Sequence, residues 1–84
     1  MKAYIDSFAG LVPCKVTRIE HEAGLNYVTV KVTGRANRAY KAGQELTMTG
    51  RAIVPRECVT GLKSMRGPRI RPYDWRAYAP HLFN

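Results

Sequence analysis

The sequence predicts an all-β fold: a small, strongly bent barrel of four to five short antiparallel strands, followed by an irregular C-terminal arm. Three observations lead there. "LNYVTVKV" (25–32) alternates, with Val28, Val30 and Val32 on one side and Tyr27, Thr29 and Lys31 on the other, the period of a half-buried strand. Gly24, Gly34, Gly43, Gly50 and Pro55 punctuate the middle of the chain with turn signals. No stretch reads as a helix, although residues 4–11 and 73–79 each have room for a single turn. Four or five short strands in about sixty residues are too few for two packed sheets, and they suit one sheet folded over on itself.

The elements follow in order. "LVPCKVTRIEH" (11–21) reads as the first strand, because Val12, Cys14 and Val16 alternate with Pro13, Lys15 and Thr17. Ile19 breaks that parity, which predicts a bulge near Arg18. Residues 22–24 form a turn into the strand 25–34, so the two strands make an antiparallel hairpin. Residues 35–43 are a basic loop. "QELTMTG" (44–50) is a short strand with Leu46 and Met48 inward, and Gly50 turns the chain into "RAIVPRECV" (51–59). There Ala52, Ile53 and Val54 are core candidates, and Pro55 ends the ladder by removing a donor. Residues 58–62 return as a last short strand. Residues 1–62 are thus expected to form the barrel and 63–84 the arm.

Charge is the strongest global signal. The 84 residues carry 14 Lys and Arg against 6 Asp and Glu, a net charge of +8. Arginine supplies most of it, at positions 18, 35, 38, 51, 56, 66, 69, 71 and 76. Its planar fork suits phosphate and carboxylate. Such a chain is drawn to polyanions. The apolar runs are too short to cross a bilayer, and the start, with Asp6 inside a broken apolar stretch, does not read as a secretory signal. The expectation is an intracellular, cytoplasmic protein without a membrane partner, in which Cys14 and Cys58 are buried, reduced thiols.

Catalytic chemistry fits poorly. His21 and His81 are the only histidines, no pair of carboxylates has an obvious shared site, and no glycine-rich phosphate loop is present. Cys14, Cys58, His21 and His81 are metal-ligand types without metal-ligand spacing. The expectation is no enzyme, no metal and no cofactor.

Two basic segments remain. Lys31, Arg35, Arg38 and Lys41 fall close together with no acid among them, and Tyr40 adds a ring. This is either a solvated hairpin loop or a loop that tracks a phosphate backbone while Tyr40 stacks. In the arm, Lys63, Arg66, Arg69, Arg71 and Arg76 face Asp74 alone, and Tyr73 and Trp75 are interleaved with them. Charge for phosphates with rings for bases is how single strands are bound. Tyr, Trp and Arg also dominate protein interfaces. A third reading has Ile70, Tyr73, Trp75 and Leu82 folding back to cap the open end of the barrel, because so small a core needs the apolar area. The arm is expected to be irregular yet ordered, anchored by Trp75 with help from Tyr73 and Ile70.

"YKAGQELTMTG" and "AIVPRECV", about residues 40–60, resemble segments of SH3-like small barrels. In the second, an apolar pair, a proline and a single 3₁₀ turn lead into a final strand containing Val59. The resemblance implies an SH3-like, or alternatively OB-like, barrel of the kind seen in short basic phage-type proteins. The aromatic expected after the proline is replaced by Glu57 and Cys58, so the family's site for proline-rich peptides is not carried over. The functional expectation is a binding module. It engages nucleic acid, DNA or RNA without sequence specificity, through the loop 31–41 and the arm. The alternative is a protein–protein factor, such as a phage-type inhibitor of a host protein or a virion component, that meets an acidic surface. In that setting the location is host cytoplasm or virion, and the arm can also join copies of the chain.

Overall fold

The computed structural model describes residues 1–7, 10–34, 40–61 and 69–83. Five strands form one antiparallel sheet: β1 (Lys2–Ser7), β2 (Gly10–Glu22), β3 (Leu25–Val32), β4 (Glu45–Thr49) and β5 (Ile53–Pro55). Their spatial order is β4-β3-β2-β1-β5. This order places β4 and β5 at opposite edges, yet only a 3₁₀ turn, Gly50–Ala52, separates them in the chain. The edges of a flat five-stranded sheet lie about 19 Å apart, four spacings of about 4.8 Å. From Thr49 to Ile53 a 3₁₀ path spans roughly 8 Å. The sheet must therefore curl until its edges approach, and the strong bend expected from strand number is enforced by this short link.

Alternation decides which side faces in. Ala3 and Ile5 of β1, Val12, Cys14 and Val16 of β2, and Val28, Val30 and Val32 of β3 are all buried. Leu46 and Met48 of β4 pack half-buried against them. The register of β2 on β3 shifts between Val16 and Arg18, which makes Thr17 an extra residue whose hydroxyl donates to the Thr29 carbonyl at 3.2 Å. Were β2 to alternate strictly through Thr17, with no bulge, Ile19 would point to solvent. With the bulge Ile19 is fully buried, as its apolar side chain requires. The β2–β3 turn is Ala23–Gly24, with φ of 53° and 80°, the two left-handed residues of a tight hairpin.

The first strand differs from expectation. Of residues 4–11, where one helical turn had room, the described ones, 4–7 and 10–11, are strand. Lys2–Ser7 is a strand that pairs with both β2 and β5, and the stretch expected to open the sheet is its second strand. Ala3 and Ile5 alternate with Lys2, Tyr4 and Asp6, but so short a run acquires its strand character from pairing on both sides. After β5, the 3₁₀ turn Arg56–Cys58 leads into β6 (Val59–Thr60), which pairs with β7 (Arg69–Ile70) of the arm. The expected boundary between barrel and arm, residues 62–63, lies outside the described residues.

The rest of the arm covers the open end of the curled sheet. Asp74 caps a single helical turn, α1 (Trp75–Tyr78), by accepting from the Arg76 amide at 3.0 Å. Trp75 and Ala79 lie within the core, 2% and 0% exposed. The Trp75 indole donates to the Gly50 carbonyl at 3.0 Å, and the Tyr73 hydroxyl reaches the Ile53 carbonyl at 2.7 Å. The two rings meet edge to face, centroids 5.7 Å apart. Leu82 and Phe83 pack on the same core, and Phe83 bridges to Ile19. Ile70, expected among the anchors, is instead exposed and paired with Val59.

Candidate functional site

The outer face of the sheet follows from the inner one. Because Ala3, Cys14 and Val32 point inward at one level, their neighbours Lys2, Lys15 and Lys31 point outward at the next. Lys2 pairs with Lys15, and Lys15 pairs with Lys31. Three lysines thus stand in one row across β1, β2 and β3, all exposed, at spacings of about 5 Å. Like charges directly opposite one another destabilise a sheet. Glu45 follows on β4, yet the single ion pair among the described residues is Arg18–Glu20 at 2.9 Å, elsewhere on β2.

The row borders a hollow of about 590 Å³ whose lining includes Lys2, Tyr4, Pro13, Lys15, Thr33 and Arg56. Tyr4 is the next outward residue of β1, half-buried and paired with Pro13. The amides of Thr33 and Gly34 both donate to the Pro13 carbonyl, at 3.0 and 3.3 Å, which folds the chain leaving β3 against β2. A side chain at Gly34 would strike the Pro13 ring at 2.6 Å, so only glycine allows this approach. Arg56 arrives from the other side because Pro55, just before it, pairs with Ala3. The cationic belt continues past Glu57: the Arg71 guanidinium donates to the Glu57 carbonyl at 3.0 Å and its amide to the Cys58 carbonyl at 2.8 Å.

Of the residues expected at the site, Lys31 and Arg71 lie on this belt. Tyr40 is half-buried against the core, and Lys41 is exposed in the turn closed by Gln44. Arg69 is exposed on β7, and Arg76 is exposed with its guanidinium 5.5 Å over the Phe83 ring. The Trp75 ring faces the core, not solvent, and Tyr73 is half-buried beside it. Arg35, Arg38, Lys63 and Arg66 lie outside the described residues. Lys2, Lys15 and Arg56 were not singled out from the sequence. They are distant in the chain and become neighbours only through strand register. The available signal was the alternation of "KAYIDS", which puts Lys2 and Tyr4 on one side.

A second, larger groove of about 810 Å³ lies near the β2–β3 turn, lined in part by Leu25, Arg51, Ile70, Arg71 and Tyr73. Leu25 and Ile70 are 50% and 39% exposed there.

The acidic side chains with shifted titration are all held neutral near pH 7. Burial pushes the Cys14 thiol up to about 11. Burial also raises the Tyr73 hydroxyl, with smaller repulsion from Cys58 and Asp6. A hydrogen bond with the Cys58 side chain raises the Tyr78 hydroxyl, reinforced by charge repulsion from the same group. These groups leave the positive charge of the belt undiminished. Among the described residues no three His, Cys, Asp or Glu side chains converge, and no helix is long and apolar enough to cross a membrane. Comparison with protein families, with curated proteins and with solved structures finds no match.

Proposed function

We propose that this chain is a non-enzymatic nucleic-acid-binding module whose binding face is the belt formed by Lys31, Lys15, Lys2, Arg56 and Arg71. The observation that carries this reading is the row Lys2–Lys15–Lys31. Two like-charge cross-strand pairs cost stability, and a phosphate backbone laid over them relieves the repulsion and releases counterions. Lysines and arginines spread over three strands, a turn and the arm suit contact with a phosphate backbone, which carries no sequence information. The raised Cys14 pKa argues against a thiolate nucleophile there. The strand Ile53–Pro55, the 3₁₀ turn Arg56–Cys58 and the strand Val59–Thr60 follow in the order of the SH3-like segment, although Val59–Thr60 pairs with Arg69–Ile70 and not with the five-stranded sheet.

The test is a titration of labelled single- and double-stranded oligonucleotides at several salt concentrations. Affinity should fall steeply as salt rises, and Lys15→Ala should reduce the slope of log K against log salt by about 0.7–0.9 for all sequences. An absence of binding at low salt overturns the reading. A second reading, a partner protein with an acidic surface, is favoured by one observation: the groove at Leu25 and Ile70 combines exposed apolar side chains with Arg51 and Arg71.

A further inference from the structure

We infer that the hollow beside the lysine row receives an unstacked base, which makes the preferred ligand a single strand and not a duplex. The inference rests on the nucleic-acid reading above and sharpens it. In a duplex the bases are stacked and paired, so a concavity that takes a base can be filled only by an unpaired strand. Here the cations surround a concavity. Its volume of about 590 Å³ is in the size range of small-ligand pockets, about 300–1,000 Å³. Its lining divides by chemistry. Lys2, Lys15 and Arg56 supply charge, Tyr4 and Pro13 supply apolar surface, and Thr33 supplies a hydroxyl.

The division is built into the strands. Lys2 and Tyr4 are successive outward residues of β1, and Pro13 and Lys15 are successive outward residues of β2. Register then pairs cation with cation and ring with ring, giving a charged rung beside an apolar rung about 7 Å along the strands. A single strand presents the same two features side by side, phosphates along one edge and bases along the other. Phosphates on Lys2, Lys15 and Arg56 leave a splayed base facing Tyr4 and Pro13, where a ring can stack on it. The Gly34–Pro13 contact holds Thr33 at the wall, so the hollow is framed before any ligand arrives.

The test compares two probes of equal length and equal phosphate number, an oligothymidylate of about ten nucleotides and an abasic phosphodiester. The full chain should bind the oligothymidylate more tightly, by about fivefold to a hundredfold if one base stacks. Tyr4→Ala should remove that preference while leaving abasic binding in place, and Lys15→Ala should weaken both probes together. Tyr4→Leu, which keeps apolar bulk at a partly buried position, guards against misfolding in the alanine variant and should also lose most of the preference. Equal affinity of the unaltered chain for the two probes overturns the base site while leaving the polyanion reading intact. So does a preference that survives in both Tyr4 variants. Failure to bind either probe at low salt overturns both readings.

Discussion

Ala23 adopts a backbone conformation its side chain disfavours. With φ of 53° it occupies the left-handed region at the first position of the β2–β3 turn, where its Cβ crowds the neighbouring carbonyl. Asparagine tolerates this conformation, and Asn-Gly is the preferred pair for such a turn. Ala23→Asn should therefore stabilise the domain by about 0.5–1 kcal/mol, read as a higher denaturant midpoint with an unchanged slope. Cys14 governs behaviour at the alkaline end. The fold raises its pKa from 9.0 to about 11, so the folded state holds a proton that the unfolded state releases first. The stabilisation is fully present below pH 9 and is lost as pH rises through about 11, at up to about 1.4 kcal/mol per unit. Tyr73 and Tyr78 are shifted in the same direction and add to the loss above pH 10. Cys14→Ala should flatten the fall in stability between pH 9 and 10, measured by denaturant titration across that range. An equally steep fall in the variant would place the titrating group elsewhere.

At the scale of elements, the arm completes the core. Trp75 and Ala79 fill the open end of the curled sheet, and the Gly50 and Ile53 carbonyls, at the link between its two edges, accept from Trp75 and reach Tyr73. A chain ending at Leu62 loses these contacts and bares the side chains beneath. Truncating one buried tryptophan alone costs about 3–5 kcal/mol, much of what a domain this small has. The shortened chain should fail to fold or melt far below the full one, as followed by circular dichroism. Normal melting would mean that the barrel stands without its cap. The strands with clean alternation were legible in the sequence. The three inward valines fix β3, and the parity break at Ile19 locates the bulge, because both are local consequences of the two-residue period. β1 was not legible. "KAYIDS" is short, and its strand state depends on β2 and on the distant β5. The same cause hid most of the site. Lys31 and Arg71 stood out within basic segments, whereas Lys2, Lys15 and Arg56 meet only through pairing, which no local pattern encodes. Ile70 looked like an anchor by its hydrophobicity, but β7 pairs at the surface with β6 and leaves it exposed.

For the molecule as a whole, the charge of +8 is organised as well as large. Register collects lysines from three strands into one row, and the turn after β5 and the arm extend that row into a belt. The central claim is that this row is kept for a polyanion at a cost in stability. Lys15 sits in its middle and takes part in both like-charge pairs. Lys15→Glu turns each repulsive pair into an attractive one, a gain of roughly 0.2–1 kcal/mol per pair, or a rise of a few degrees in melting temperature for a chain of this size at low salt. The same substitution places a carboxylate where a phosphate would sit. The decisive measurement is the melting temperature of Lys15→Glu in low salt, taken together with its affinity for the oligothymidylate. The account predicts a protein that melts higher and binds at least tenfold more weakly. A variant that binds as tightly as the unaltered chain would contradict it, whatever its melting temperature, and would leave the lysine row an ordinary solvated face.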